Sequence, residues 1–105
     1  MTDHQFCTLV GEAKEYPDRD AFVSDAALSS AFSDSEPQDE IIEMLGKLWD
    51  AVHVPFSEIR KSLGLTQAAM AERICAPKRT IENWECRDNC PLPIRVMIFR
   101  LWLGL

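Results

Sequence analysis

The residues Cys75-Ala76-Pro77 separate two short runs that both carry apolar positions at helical spacing, and this pairing limits the fold more than any other feature of the chain. Before the break, Thr66 is a good N-cap for a helix over Gln67 to Ile74. After it, Pro77 suits the first position of a helix running to about Glu85, where its missing N–H costs nothing. Two helices crossing at so short a turn need a small residue where they approach, and Ala71 supplies it. Met70, Ile74, Ile81 and Trp84 form the inward face, and Lys78, Arg79, Thr80, Glu82 and Asn83 give the second helix a polar outer face.

The flanking sequence reads as helical too. Gln38 to about His53 places Ile41, Ile42, Leu45, Leu48, Trp49 and Val52 at i, i+3, i+4 and i+7 spacing. Asp39, Glu40 and Glu43 sit in its first turns, where the helix dipole favours acids. Gly46 weakens it slightly, and Trp49 reads as a core or interface aromatic. Val54-Pro55 closes it, because the residue before proline avoids the α region. Pro55 to Leu63 is expected to form another helix with Ser57 as N-cap and Phe56, Ile59 and Leu63 inward. Gly64 suits the left-handed residue that ends it. Arg87 to Pro93 reads as a loop, and Ile94 to Leu103 as a last apolar helix.

The N-terminal part is less regular. Residues 1–16 show no clean periodicity, so Phe6, Leu9 and Val10 either dock on the domain or belong to a loose arm. Pro17-Asp18-Arg19-Asp20 looks like the start of a short helix over about 18–32, and residues 33–37 form a polar linker. The expected organisation is an acidic arm, 1–37, with that short helix, followed by a helical domain, 38–105, containing a helix-turn-helix at about 66–85. The fold class is all-α, with no strand and no internal repeat.

Composition restricts function. The chain has 105 residues, enough for one modest core, and no apolar run of the roughly 18 residues a membrane span needs. The first residues lack a basic segment followed by an apolar one, so a cytoplasmic protein with free thiols is expected. Cys86-x-x-x-Cys90 resembles half a zinc site, but a second pair at metal spacing is missing and no metal or cofactor is expected. An enzyme is not expected either, since there is no phosphate loop and His4 and His53 stand alone. Charge is uneven. Residues 1–54 hold three basic residues against twelve acids, a net of −9, whereas residues 55–105 hold eight against five, a net of +3. The basic half suits phosphate; the acidic half must face away from it.

Several of these segments together resemble a known family. Ile59 through Gln67 (with Leu63-Gly64-Leu65-Thr66-Gln67), Met70-Ala71, and Pro77 through Glu85 (with Thr80-Ile81-x-x-Trp84-Glu85) are similar to the lambda repressor/Cro class of helix-turn-helix, the xenobiotic response element (XRE) family. The likeness covers roughly 55–103. It implies a lambda repressor-like helical bundle, here with additional N-terminal helices. The family usually has Gly where Cys75 stands, and a non-Gly residue at positive φ costs about 1 kcal/mol; a slightly different turn is expected. A larger apolar residue is usual at Ala76, so looser packing is expected there.

The resemblance implies double-stranded DNA as the partner and 77–85 as the recognition helix. Pro77, Lys78, Arg79 and Thr80 then face base edges and phosphates, with Arg79 suited to guanine and Thr80 to a phosphate or a thymine methyl. Asn83 reaches an adenine edge or the backbone, and Glu82 accepts from cytosine or rejects misplaced phosphate. Gln67 and the free N–H groups beside it hold a phosphate, and Arg60 and Lys61 touch the flanking backbone. One such domain reads a short half-site, so a homodimeric repressor is expected; part of the apolar last helix closes the core over Trp84, and the remainder pairs either with another subunit or with the helix at 38–53. The alternative is an antitoxin-like or regulatory module whose acidic N-terminal half holds a protein partner. A related expectation is that the acidic arm shields the basic face and lowers non-specific DNA affinity.

Overall fold

The computed structural model describes residues 2–28, 32 and 37–103, with the side chains of 102 and 103 left aside. Most of the expected linker and the end of the 18–32 helix lie outside the described residues. Among them the chain is all-helical: α1 (Asp3–Glu15), α2 (Arg19–Ala26), α3 (Gln38–His53), α4 (Phe56–Ser62), α5 (Gln67–Ile74), α6 (Lys78–Arg87) and α7 (Leu92–Leu103).

The N-terminal segment is not a loose arm over its described residues. Thr2 and Gln5 form a reciprocal capping box, the Gln5 N–H donating to Thr2 Oγ1 at 3.1 Å and the Thr2 N–H to Gln5 Oε1 at 2.8 Å. The helix they start buries Phe6, Leu9, Val10 and Ala13, spaced i, i+3, i+4 and i+7. That spacing is obscured by the polar residues and Gly11 set among it. Asp18 caps α2, accepting from the Ala21 N–H. Both helices pack on α3, whose Ile41, Leu45, Leu48 and Ala51 complete a first core with Phe22, Val23, Ala26 and Phe99.

Side chains of α3 also close the end of α1. Trp49 Nε1 donates to the Tyr16 carbonyl at 3.0 Å, and His53 Nε2 lies 2.6 Å from the Ala13 carbonyl. Carbonyls in the last turn of a helix lack partners within it, so these contacts fix the α1–α3 joint. The two rings stack at 4.2 Å. Gly46 makes room for a neighbour: a Cβ there would come within 2.8 Å of Arg19 Cζ. Arg19 lies across that bare stretch of helix and pairs with Asp50, Nε to Oδ1 at 3.0 Å and Nη2 to Oδ2 at 3.3 Å.

A second core joins Phe56 of α4, Met70 and Ala71 of α5, Ile81 of α6, Cys90 of the segment between α6 and α7, and Ile98 of α7. Adjacent residues of α7 therefore serve different cores, Phe99 the first and Ile98 the second. Arg95 ties them further. It is 8% exposed, and its Nη1 donates to the Ala51 and Val54 carbonyls at the end of α3 while Nη2 lies 3.4 Å from Asp88 Oδ1. A charge buried in an apolar helix needs such partners.

Three boundaries differ from the sequence reading. Pro55 and Pro77 stand at N-cap positions with ψ of 142°, one residue outside their helices rather than within them. Ser57 consequently lies inside the first turn of α4 and does not cap it. Helix α7 begins at Leu92, two residues earlier than expected.

Candidate nucleic-acid interface

Helices α5 and α6 are joined by Cys75, Ala76 and Pro77. Thr66 accepts the Ala69 N–H at 3.1 Å and starts α5 as its residue type predicts. Cys75 ends it in the left-handed region, at φ 56° and ψ 41°, and the Ala76 N–H returns to the Ala71 carbonyl at 2.9 Å. The expected departure from the usual turn is not seen at this residue: Cys75 takes the glycine-like conformation itself. Gly64, at φ 71°, turns the chain after α4 as expected.

Helix α6 is strongly two-sided. Ile81 is fully buried and Trp84 half-buried, its ring edge-on to Phe56 at 5.7 Å. Lys78, Arg79, Glu82 and Asn83 are exposed on the opposite side, and Thr80 lies at the margin, half-buried. Lys78 and Glu82 are one turn apart, 3.8 Å between Nζ and Oε1. Such an exposed pair holds weakly, so both groups remain open to other partners. Lys61, in the last turn of α4, is exposed as well.

Two expected contact residues are turned inward. Arg60 is engaged on all three nitrogens: Nε and Nη2 reach Glu85 at 2.8 to 3.2 Å, and Nη1 donates to the Leu65 carbonyl at 2.8 Å. Its side chain is 13% exposed and that of Glu85 9%. Arg60 is thus committed to partners within the protein, where the bidentate pair with a shielded carboxylate holds it. Gln67 Nε2 donates to the same carboxylate at 3.1 Å, so its amide is committed there, while the start of α5 stays at the surface.

Glu85 is the residue whose role the sequence did not disclose. It collects Arg60 of α4, Gln67 of α5 and its own helix α6 on one carboxylate, fixing the α5–α6 pair against α4. Its partners stand 25 and 18 residues away, too far for any local pattern to reveal them. Arg95 was equally hidden, although a lone cation in the run Leu92 to Phe99 required a buried acceptor. Cys90 is buried, and that burial pushes its thiol up to about 11, with Arg95 partly opposing the shift. Cys7, Cys75 and Cys86 are exposed. Among the described residues no group of three His, Cys, Asp or Glu side chains is placed to hold a metal ion. No helix among them is long and apolar enough to cross a membrane.

Comparison with known proteins returned no match: no family model, no curated protein and no solved structure matches this chain.

Proposed function

We propose that this chain is a sequence-specific DNA-binding transcriptional regulator of the repressor type, a helix-turn-helix protein of the lambda repressor/Cro class. The observation that carries the reading is the two-sidedness of α6. One face closes the core through Ile81, and the other offers Lys78, Arg79, Glu82 and Asn83 together, at the start of a helix. Arg79 takes a guanine edge, Lys78 a phosphate or base, Asn83 an adenine edge or phosphate, and Thr80 a phosphate. Glu82 screens against misplaced phosphate. Lys61 and the start of α5 hold the flanking backbone. The clasp at Glu85 fixes the angle at which α6 enters the groove. The reading includes a homodimer on a palindromic site in the cytoplasm, because one such module reads too few base pairs alone.

DNA selection with the purified protein returns the site and its symmetry. In a gel-shift titration on that site at fixed salt, Arg79→Ala weakens binding by about 1–3 kcal/mol and relaxes preference at one base pair. Unchanged affinity removes Arg79 from the contacts. The antitoxin-like reading rests on a different observation. The acidic residues of α1 and α2 decorate a packed layer, and Leu28 and Ile42 are exposed, 88% and 47% respectively. A folded protein that enriches no DNA site favours that reading. Deleting residues 1–37 does not test shielding, because it removes more than half of the buried residues of the first core.

A further inference from the structure

A groove of about 690 Å³ runs between α1 and α7, away from the α6 face and independent of the DNA reading. Phe6, Val10, Leu92, Val96, Met97 and Leu101 form its walls. Its volume falls within the usual range for small-molecule sites, roughly 300–1,000 Å³. Met97 and Leu101, 42% and 62% exposed, stand along it. Among the described residues of the lining, Arg100 is the charged one.

The state of Arg100 indicates what the groove accepts. Its guanidinium lies over the Phe6 ring, 4.4 Å from the centroid, which holds it at the groove wall. The Nε–Nη2 edge of an arginine presents two parallel donors suited to one carboxylate. Here that edge is half used. Nη2 donates to Asp3 Oδ1 at 2.8 Å, while Nε is buried with no hydrogen-bond partner. The Asp3 side chain is 88% exposed, so it is a weakly held occupant of that edge.

We propose that the α1–α7 groove binds an amphipathic monocarboxylate, an aliphatic acid whose tail lies on the apolar walls. Its carboxylate displaces Asp3 and takes both Nε and Nη2 of Arg100. Charge selects this class over the neutral or cationic analogue, since Arg100 lines the groove with an unmet donor and its Asp3 partner is largely exposed. The apolar walls select for tail length.

The test uses the full chain and the series decanoate, decanol and decylamine, each below its aggregation threshold, followed by calorimetry and by amide shifts. Decanoate binds saturably and shifts residues of α1 and α7, and each further methylene tightens binding by about two- to fourfold. Decanol binds more weakly and decylamine weakest. Arg100→Gln lowers decanoate affinity about tenfold and leaves decanol unchanged, as expected for loss of a charge-assisted pair. Asp3→Asn, at an exposed position, tightens decanoate by about threefold through release of the competing carboxylate. Equal binding of all three ligands, absence of saturable decanoate binding, or a tighter Arg100→Gln variant overturns the proposal. So do shifts of the same residues with protein concentration alone that decanoate fails to reverse, which place a second copy in the groove.

Discussion

Around Leu45 and Leu48, three helices and the Phe99 ring meet on a large apolar set, with Phe6, Leu9, Phe22, Leu45 and Leu48 at most 2% exposed, and the polar contacts of Trp49, His53 and Arg19 lie at its edge. Around Met70 and Ile81 the apolar set is smaller, and the helices are shorter, seven, eight and ten residues in α4, α5 and α6. There a nearly dry carboxylate with an arginine and a glutamine takes over part of the closure. Apolar burial is non-directional and tolerates small rotations of one helix on another. A bidentate ion pair fixes orientation but depends on every member. The half that carries the candidate interface is thus the half with the smaller apolar set and the shielded ion pair, whereas the Arg19–Asp50 pair of the first half stays exposed.

The contrast is broken most forcefully by truncating one residue in each half. Phe22→Ala empties a fully buried site in the first core and costs about 3–5 kcal/mol. Met70→Ala in the second costs about 2–5 kcal/mol. Chemical denaturation followed at Trp49 and Trp84 in single-tryptophan variants reports on each half separately. Since Arg95, Ile98 and Phe99 join the cores through α7, both probes are expected to shift together. Separate midpoints would show two units folding independently.

The clasp gives the next largest effect. Arg60→Ala leaves Glu85 shielded and unpaired, and is expected to cost about 3 kcal/mol. The double change Arg60→Met with Glu85→Leu replaces the pair by apolar volume and recovers most of that stability. If the clasp sets the pose of α6, the double variant stays folded yet binds the selected DNA site more weakly. Full DNA affinity in that variant would reduce the clasp to a purely structural contact.

At the turn the expected change is smaller and of opposite sign. Cys75 holds φ 56°, a conformation that penalises a side chain, and it is exposed. Cys75→Gly removes that strain but adds chain entropy to the unfolded state, so the net gain is at most about 0.5 kcal/mol, read as a small rise in thermal midpoint. A fall would mean that the thiol makes a stabilising contact.

The features legible in the sequence were those carried by neighbours in the chain. Thr66 announces its cap, Gly64 marks the left-handed turn after α4, and Leu45 and Leu48 sit on the expected face of α3, whereas the left-handed Cys75 and Asp88 did not follow from their residue types. Helix α1 was legible in principle, through Thr2-x-x-Gln5 and the spacing of Phe6, Leu9, Val10 and Ala13, but polar neighbours and Gly11 diluted the pattern. Long-range pairing was not legible. The identity of Arg60 gives its charge, not that Glu85 takes it inside; the same holds for Arg95 at the end of α3. The surface side of the candidate interface follows from residue type and spacing, whereas its internal support depends on the folded arrangement.

The last expected effect is one of pH and concerns Cys90, where the second core meets Arg95. Burial holds its thiol neutral up to about pH 11, against an ordinary value near 9. Below pH 9 both folded and unfolded chains keep the proton, and the full contribution of the neutral thiol is present. Between pH 9 and 11 the unfolded chain ionises first while the folded one still holds its proton, so stability falls as pH rises and this contribution is lost by the upper end. Tyr16, raised above 10.0 chiefly by its hydrogen bond to Asp25, adds a slope of the same sign at the top of that range. Cys90→Ala removes only the Cys90 share, so the difference in unfolding free energy between variant and parent, measured from pH 8 to 11, isolates it. Thiol alkylation gives the independent check: Cys7, Cys75 and Cys86 react in the native protein, and Cys90 reacts only as the second core opens. Equal reactivity of all four thiols would mean that the core around Cys90 opens readily, and that the half closed by the Glu85 clasp is the looser of the two.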